Sequence, residues 1–157
     1  GLAMLDELER WLATVDLSRL SIEDHVPVLL RLGEAERALR WVRLFDAQPD
    51  FDDDEAILEA LLDIARHVSE RDPAQLSTLL EEVEARAELL LESGSGEAVL
   101  ARHCDWLPLP LLETWVVALL ERGDLDVVRW MPLWKRLGAV DALLERLFEP
   151  QPRLNRP

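Results

Sequence analysis

The acidic run that begins at Asp50 has the clearest metal-ligand spacing in the sequence. Asp50, Asp52 and Asp54 stand where an EF-hand calcium loop has its ligand positions 1, 3 and 5. That loop also requires glycine at position 6, for its turn, and a bidentate glutamate at position 12. The sequence has Glu55 and Leu61 at these two positions. Because the carboxylates cannot surround an ion without the turn, the run predicts no calcium site.

Two other groups have residue types that could do chemistry. His103 and Cys104 are adjacent, and adjacent side chains on a helix point about 100° apart, so they do not readily share a metal. No CxxC or HExxH motif supplies further ligands, and no base can be placed against Cys104 to activate it. Asp63 and His67 are spaced to meet on one helix face, which is common on protein surfaces. We therefore expect a buried structural Cys104, no metal, no cofactor and no enzymatic activity.

The charge distribution predicts the kind of partner. The net charge is −15, and residues 50–97 hold 15 acidic and 3 basic side chains, a net charge of −12. Nucleic acids and anionic membranes both attract clustered lysine and arginine, so neither is an expected partner. A basic protein or peptide is the expected partner. The single cysteine suits a reducing compartment, so we expect the chain to be cytoplasmic.

The acidic run also fits a simpler structural interpretation. Carboxylates at a helix N-terminus accept hydrogen bonds from its free N–H groups and offset the helix dipole, each contributing about 0.3–1 kcal/mol. One helix end does not require five of them, however. The sequence leaves open whether the run is a solvated helix start or a surface for a basic partner.

Tryptophan is concentrated near the other end of the chain. Trp130 and Trp134 are four residues apart on a predicted helix, next to Met131. Such residues are either core fillers or the lining of a groove for a partner helix or peptide. Both interpretations remain open.

The elements that must position these residues are predicted to be helices throughout, because apolar residues recur at the helical period. The expected helices cover residues 3–15, 24–33, 34–47, 54–70, 73–92, 97–105, 111–121, 124–137 and 139–148. Asp72 and Pro73 form an N-cap and a first-turn proline, and Pro132 is expected to kink its helix. The helix at 111–121 is apolar on most sides and is expected to be the most buried.

These helices predict an all-α fold of eight or nine antiparallel helices, arranged as a short α-solenoid or a compact bundle, with the solenoid favoured. We expect one domain over residues 1–149, with a subdivision at the flexible 93–96 stretch left open, and a frayed tail at 150–157.

The solenoid is favoured by a recurring pattern. LLRLGEAERAL at 29–39, LLERGDLDVV at 119–128 and KRLGAVDALL at 135–144 each run from an apolar helix through glycine into the next helix. Gly33, Ala38 and Pro49 resemble the helical hairpin of a tetratricopeptide repeat, in which a small residue lets paired helices approach closely. No 34-residue period holds, and glycine is also a common helix C-cap.

A second resemblance is local. IEDHVPVLL at 22–30 is similar to a motif in the chaperones that mature molybdenum enzymes such as nitrate reductase, which are acidic all-helical proteins. The resemblance implies that Asp24, His25 and Pro27 match the motif and that the chain would hold an apoenzyme or its leader peptide.

Together these features predict a non-catalytic protein-interaction domain, adaptor- or chaperone-like, whose acidic face docks a basic partner. The alternatives are an immunity- or inhibitor-type protein that neutralises a basic toxin or nuclease, and a maturation chaperone for a redox enzyme. Homo-oligomerisation is left open. The expected partner-binding residues are Asp50, Asp52, Asp53, Asp54, Glu55, Glu59, Trp130, Trp134, Asp24 and His25.

Overall fold

The structure, a computed structural model, describes residues 3, 4, 6, 7, 10, 22–139 and 145. Seven helices have defined bounds: α1 Ile22–Arg31, α2 Ala35–Asp46, α3 Asp54–Val68, α4 Pro73–Glu92, α5 Glu97–Arg102, α6 Leu109–Arg122 and α7 Met131–Arg136. No strand occurs among the described residues, which confirms the all-α prediction.

Three of the predicted elements lie mostly or wholly outside the described residues: the helices at 3–15 and 139–148 and the tail at 150–157. The described part of the chain therefore holds seven helices where eight or nine were expected in all, and the solenoid remains a prediction. None of the described helices combines the length and the apolar character that crossing a membrane would require.

The chain divides into two compact units, Gly1–Ser95 and Gly96–Pro157. The division falls inside the Ser-Gly-Ser-Gly stretch at 93–96, where glycine residues interrupt the helical pattern. Helices α1 to α4 belong to the first unit and α5 to α7 belong to the second.

Helix α3 is the centre of the first unit, because α1, α2 and α4 all pack against it. Nine of its 15 residues are buried. The expectation that the helix at 111–121 is the most buried is wrong: α6 buries four residues and leaves Leu109, Val117 and Leu120 exposed. A helix that is apolar on all sides can be buried on all sides. The number of residues that become buried depends, however, on how many other helices pack against it.

Two aspartates start the helices of the first unit. Asp53 Oδ1 accepts from the Ala56 amide at 3.0 Å at the start of α3, and Asp72 Oδ1 accepts from the Gln75 amide at 3.1 Å at the start of α4. Pro73, at the first position of α4, has no N–H that needs a partner there. The predicted Asp72–Pro73 helix start is confirmed.

Two prolines behave differently from the prediction. α1 is already helical at Ile22, two residues before the predicted start of the 24–33 helix, so Pro27 lies in its interior. Pro132 was expected to kink a helix over 124–137. Instead it lies in the first turn of α7, which begins at Met131, because proline fits there without losing an intrahelical hydrogen bond.

The recurring glycine pattern has a local cause. Gly33, Gly123 and Gly138 all have left-handed backbone angles, with φ of 75°, 73° and 67°. In each case the glycine amide donates to the carbonyl three residues earlier, and the next amide donates to the carbonyl five residues earlier. This is the Schellman helix ending, so the three similar stretches share a C-cap.

Candidate functional site: the acidic corner

The acidic corner consists of Asp50, Asp52, Asp53, Asp54 and Glu55, in the loop before α3 and in its first turn. The four aspartates are exposed and Glu55 is half-buried. Asp53 is committed to the Ala56 amide as the N-cap of α3. The corner is therefore a helix start, as the simpler interpretation predicted, and it has more carboxylates than the cap uses.

An aromatic side chain anchors the corner to the rest of the first unit. Phe51, between Asp50 and Asp52 in the sequence, packs edge-on against Phe45 of α2 with ring centroids 5.3 Å apart. Phe45 is buried and meets Trp41 at 5.6 Å, so the contacts continue into the core. The loop is thus attached by a ring at one end and by a helix cap at the other.

The corner concentrates five carboxylates within six consecutive positions, and none of them has a cationic neighbour among the described residues. Within the described residues, no salt bridge involves any of the five side chains. Mutual repulsion of unpaired carboxylates is unfavourable for folding, and a cationic partner would relieve it.

By contrast, other acids are neutralised by a network between α2 and α4. Arg43 forms a bidentate salt bridge with Glu82, with N–O distances of 2.5 and 2.6 Å. Arg86 contacts Glu82 at 3.2 Å and also contacts Asp46. The side-chain hydrogen bond from Arg43 holds the pKa of Glu82 below its ordinary value, and the same bond raises the pKa of Arg43. The network joins residues about 40 positions apart, a pairing that no local sequence pattern indicates.

The remaining predicted residues of the first unit lie on α1 and α3. Glu59 is half-buried one turn after Glu55 on α3. Asp24 is exposed in the first turn of α1, whereas His25 is half-buried with its ring 5.4 Å from that of Trp41. The structure thus places these residues in the same unit as the acidic corner.

The two predicted tryptophans lie in the second unit and have separate surroundings. Trp130 is completely buried, and its Nε1 donates to Glu97 Oε2 at 3.0 Å. It immediately precedes α7, so it does not share a helix with Trp134 as expected. Trp130 is a core residue, and a partner could reach its indole only if this unit opened. Trp134 is half-buried and donates from Nε1 to the Val127 carbonyl at 2.7 Å.

The two potential metal ligands named from the sequence of the second unit, His103 and Cys104, are both buried. Cys104 is fully buried as a free thiol, and burial raises its pKa, which opposes formation of the reactive thiolate. The expected structural burial of Cys104 is confirmed. His103 is also buried, and its Nδ1 accepts from Trp106 Nε1 at 2.8 Å. Arg136 donates to the carbonyls of Cys104, at 2.9 Å, and Leu107, at 2.6 Å.

Sequence reasoning did not single out Glu97 or Arg136, although both join segments that are far apart in the chain. Glu97 accepts from Trp130 and from the Asp126 amide at 2.9 Å, and also contacts Arg129 at 3.3 Å. Their spacing of about 30 residues follows no helical or strand period.

The chain matches no protein-family model, no curated protein and no solved structure.

Proposed function

We propose that this chain is a non-catalytic protein-interaction domain that docks a basic protein partner through the acidic corner. The observation that carries the proposal is the concentration of five carboxylates, none with a salt bridge among the described residues and only Asp53 used by the α3 cap, in a loop and helix start anchored by Phe51. One helix cap uses a single carboxylate, so the other four are not required by the start of α3.

Electrostatics supports this role. The corner begins a 48-residue segment with a net charge of −12, so the attraction on a basic partner adds over many groups. Clusters of one sign raise association rates by about 10–10³-fold, and the effect decreases steeply with salt. The anchored loop would present its charges in a fixed arrangement, which lowers the entropy lost on binding.

The test is a differential capture from the extract of the native host. Wild-type chain and the variant Asp50→Asn/Asp52→Asn/Asp54→Asn are immobilised at equal density, and retained proteins are quantified by mass spectrometry. Asp53 is left unchanged so that the α3 cap survives. We expect a basic protein that wild type retains and the variant loses.

A matched control removes the same number of exposed carboxylates from the second unit. The variant Glu113→Gln/Glu121→Gln/Asp124→Asn does this with side chains that are exposed on or just after α6. It should retain the partner as wild type does. A partner lost equally from both variants would show a dependence on total charge alone and would contradict the proposal.

The identity of a captured partner distinguishes the two alternatives. A nuclease or toxin whose activity the chain inhibits would favour the immunity-type protein. A redox enzyme with a leader peptide, whose retention depends on Asp24 and His25, would favour the maturation chaperone.

A further inference from the structure

A second surface of the first unit has the form of a groove. A cleft of about 340 Å³ has Pro27, Leu30 and Arg66 in its lining. A second of about 270 Å³ is lined by the α1–α2 turn with the start of α2, and by the end of α3, the α3–α4 turn and the start of α4. His67 lines both clefts. Because both are lined by His67, the two clefts are adjacent on the surface, and we call them together the His67 groove.

The volumes limit what the His67 groove can hold. Small-molecule and cofactor pockets usually measure about 300–1,000 Å³ and are enclosed on most sides. Each cleft is at or below the lower end of this range. Two small, adjacent clefts suit successive side chains of an extended chain better than they suit one compact cofactor.

The groove contains polar groups that the fold does not use. The side chains of Glu36 and Gln75 line the second cleft, and neither makes a side-chain hydrogen bond or ion pair within the described residues. A glutamine amide offers both donors and an acceptor, so it can pair with the N–H and C=O of one peptide unit. A carboxylate at the same wall can accept from a basic side chain.

His67 itself is fixed by its neighbour. Arg71 lies 3.1 Å from His67 Nε2, and because a guanidinium group can only donate, Nε2 is the acceptor. The neutral imidazole then carries its proton on Nδ1, which is a further donor. This contact also occupies one of the two arginines that line the groove.

The charges of the lining favour a basic ligand. Four carboxylates line the two clefts (Glu34, Glu36, Asp63 and Asp72) against two guanidinium groups (Arg66 and Arg71). Arg37 contacts Glu34 at 3.6 Å and Asp72 caps α4, so Glu36 is the carboxylate of the second cleft that is left for a basic ligand among the described residues. Apolar surface from Pro27 and Leu30 provides contact area for the rest of a bound segment.

From these observations we infer that the His67 groove binds an extended peptide segment that carries a basic side chain. The Gln75 amide pairs with the peptide backbone and Glu36 accepts from the basic side chain. The inference rests on the proposed function in that the ligand is part of a protein partner, but it concerns another site. His67 lies near the C-terminal end of α3, about 20 Å along the helix from the acidic corner at its start.

The test uses a random linear peptide library displayed on phage and selected on the full-length wild-type chain. Peptides that are enriched are synthesised, and their dissociation constants are measured by fluorescence anisotropy. We expect arginine or lysine in the enriched sequences. We also expect binding to weaken at least about tenfold in Glu36→Arg and in Gln75→Ala, the loss expected for a charged or bidentate hydrogen bond.

Two controls separate this site from other effects. Glu81→Arg makes the same charge change on the exposed surface of α4, outside both clefts, and should bind the peptides as wild type does. Circular dichroism and thermal denaturation of each variant check that the fold is kept. Failure to enrich any peptide, or peptides that bind Glu36→Arg and Gln75→Ala as tightly as wild type, would overturn the inference.

The variant Asp50→Asn/Asp52→Asn/Asp54→Asn shows which of the two proposals has failed. Peptide binding that is weakened by the corner variant but unchanged in Glu36→Arg and Gln75→Ala would contradict the groove inference and leave the proposed function intact. Suppose instead that peptide binding depends on the groove residues while the captured protein binds the corner variant as tightly as wild type. The proposed function would then be contradicted and the groove inference would stand.

Discussion

Replacing Glu97 tests how the second unit is held together. Glu97 Oε2 accepts from the indole of Trp130 at 3.0 Å and from the Asp126 amide at 2.9 Å, while Oε1 contacts Arg129 at 3.3 Å. The Glu97 side chain is 14% exposed and Trp130 is completely buried. A single carboxylate therefore satisfies a buried donor and attaches the loop after α6 to the start of α5.

The magnitude follows from what each donor loses in Glu97→Ala. The Trp130 indole N–H would be buried without an acceptor, which costs about 1–3 kcal/mol. The Asp126 amide is in an exposed residue and can bond to water, so it adds little. The Arg129 side chain is 45% exposed, so its ion pair is screened and adds at most about 0.5 kcal/mol. We expect Glu97→Ala to lower the free energy of unfolding of this unit by about 1–3 kcal/mol, most of it from the indole N–H.

The assay is a urea titration followed by the indole N–H resonance of Trp130, which reports on the second unit separately. The six tryptophans give few enough indole signals to resolve, and Trp130→Phe identifies the relevant one. Glu97→Gln keeps an acceptor and should lose only about 1 kcal/mol. The exposed Glu113→Ala serves as the surface control. If Glu97→Ala lies within about 0.5 kcal/mol of wild type, the proposed role of the carboxylate is refuted.

Three further predictions concern the first unit and the end of the second. Asp53→Ala should lower the free energy of unfolding by about 1 kcal/mol, because it removes the α3 cap. The control Asp52→Ala should lower it by less than about 0.5 kcal/mol. Equal losses in urea titrations would contradict the assignment of the cap. Arg43 lowers the pKa of Glu82, so the ionised carboxylate stabilises the folded state above its ordinary pKa of 4.5, and this contribution is lost as the pH falls through the lower folded value. Glu82→Gln should therefore be less stable than wild type by about 0.5–1 kcal/mol at neutral pH, with the gap closing in acid; a gap independent of pH would refute this. Arg136→Ala should lose about 2 kcal/mol in the urea titration, because two backbone carbonyls lose a charged donor, and an unchanged midpoint would show that water replaces it.

The sequence predicted the helices well where local signals define their ends. The α4 start at Pro73 follows from an aspartate cap and a first-turn proline, and the α6 end at Arg122 follows from Gly123. These signals act within one helical turn, so they can be recognised without any knowledge of the fold. The start of α7 was missed because Pro132 was interpreted as a kink in a longer helix rather than as a first-turn residue.

Features that depend on the packing of distant helices could not be predicted from local sequence patterns. The burial of α3 depends on three neighbouring helices, and nothing in its own sequence distinguishes it from the more apolar α6. The acidic corner was recognised from composition, but its lack of ion pairs was not, because pairs such as Arg43 with Glu82 form between distant helices. The His67 groove is lined by residues of all four helices of the first unit and of two turns, so it appears only once these elements are assembled.

The central claim is that the acidic corner attracts a basic partner, and the association rate tests it most directly. The captured partner is mixed with the chain in a stopped-flow instrument over a range of sodium chloride concentrations. The rate should fall at least about tenfold from low to high salt, and Asp50→Asn/Asp52→Asn/Asp54→Asn should both slow it at low salt and flatten the dependence. An association rate that is the same at every salt concentration, or the same in wild type and variant, would contradict the claim.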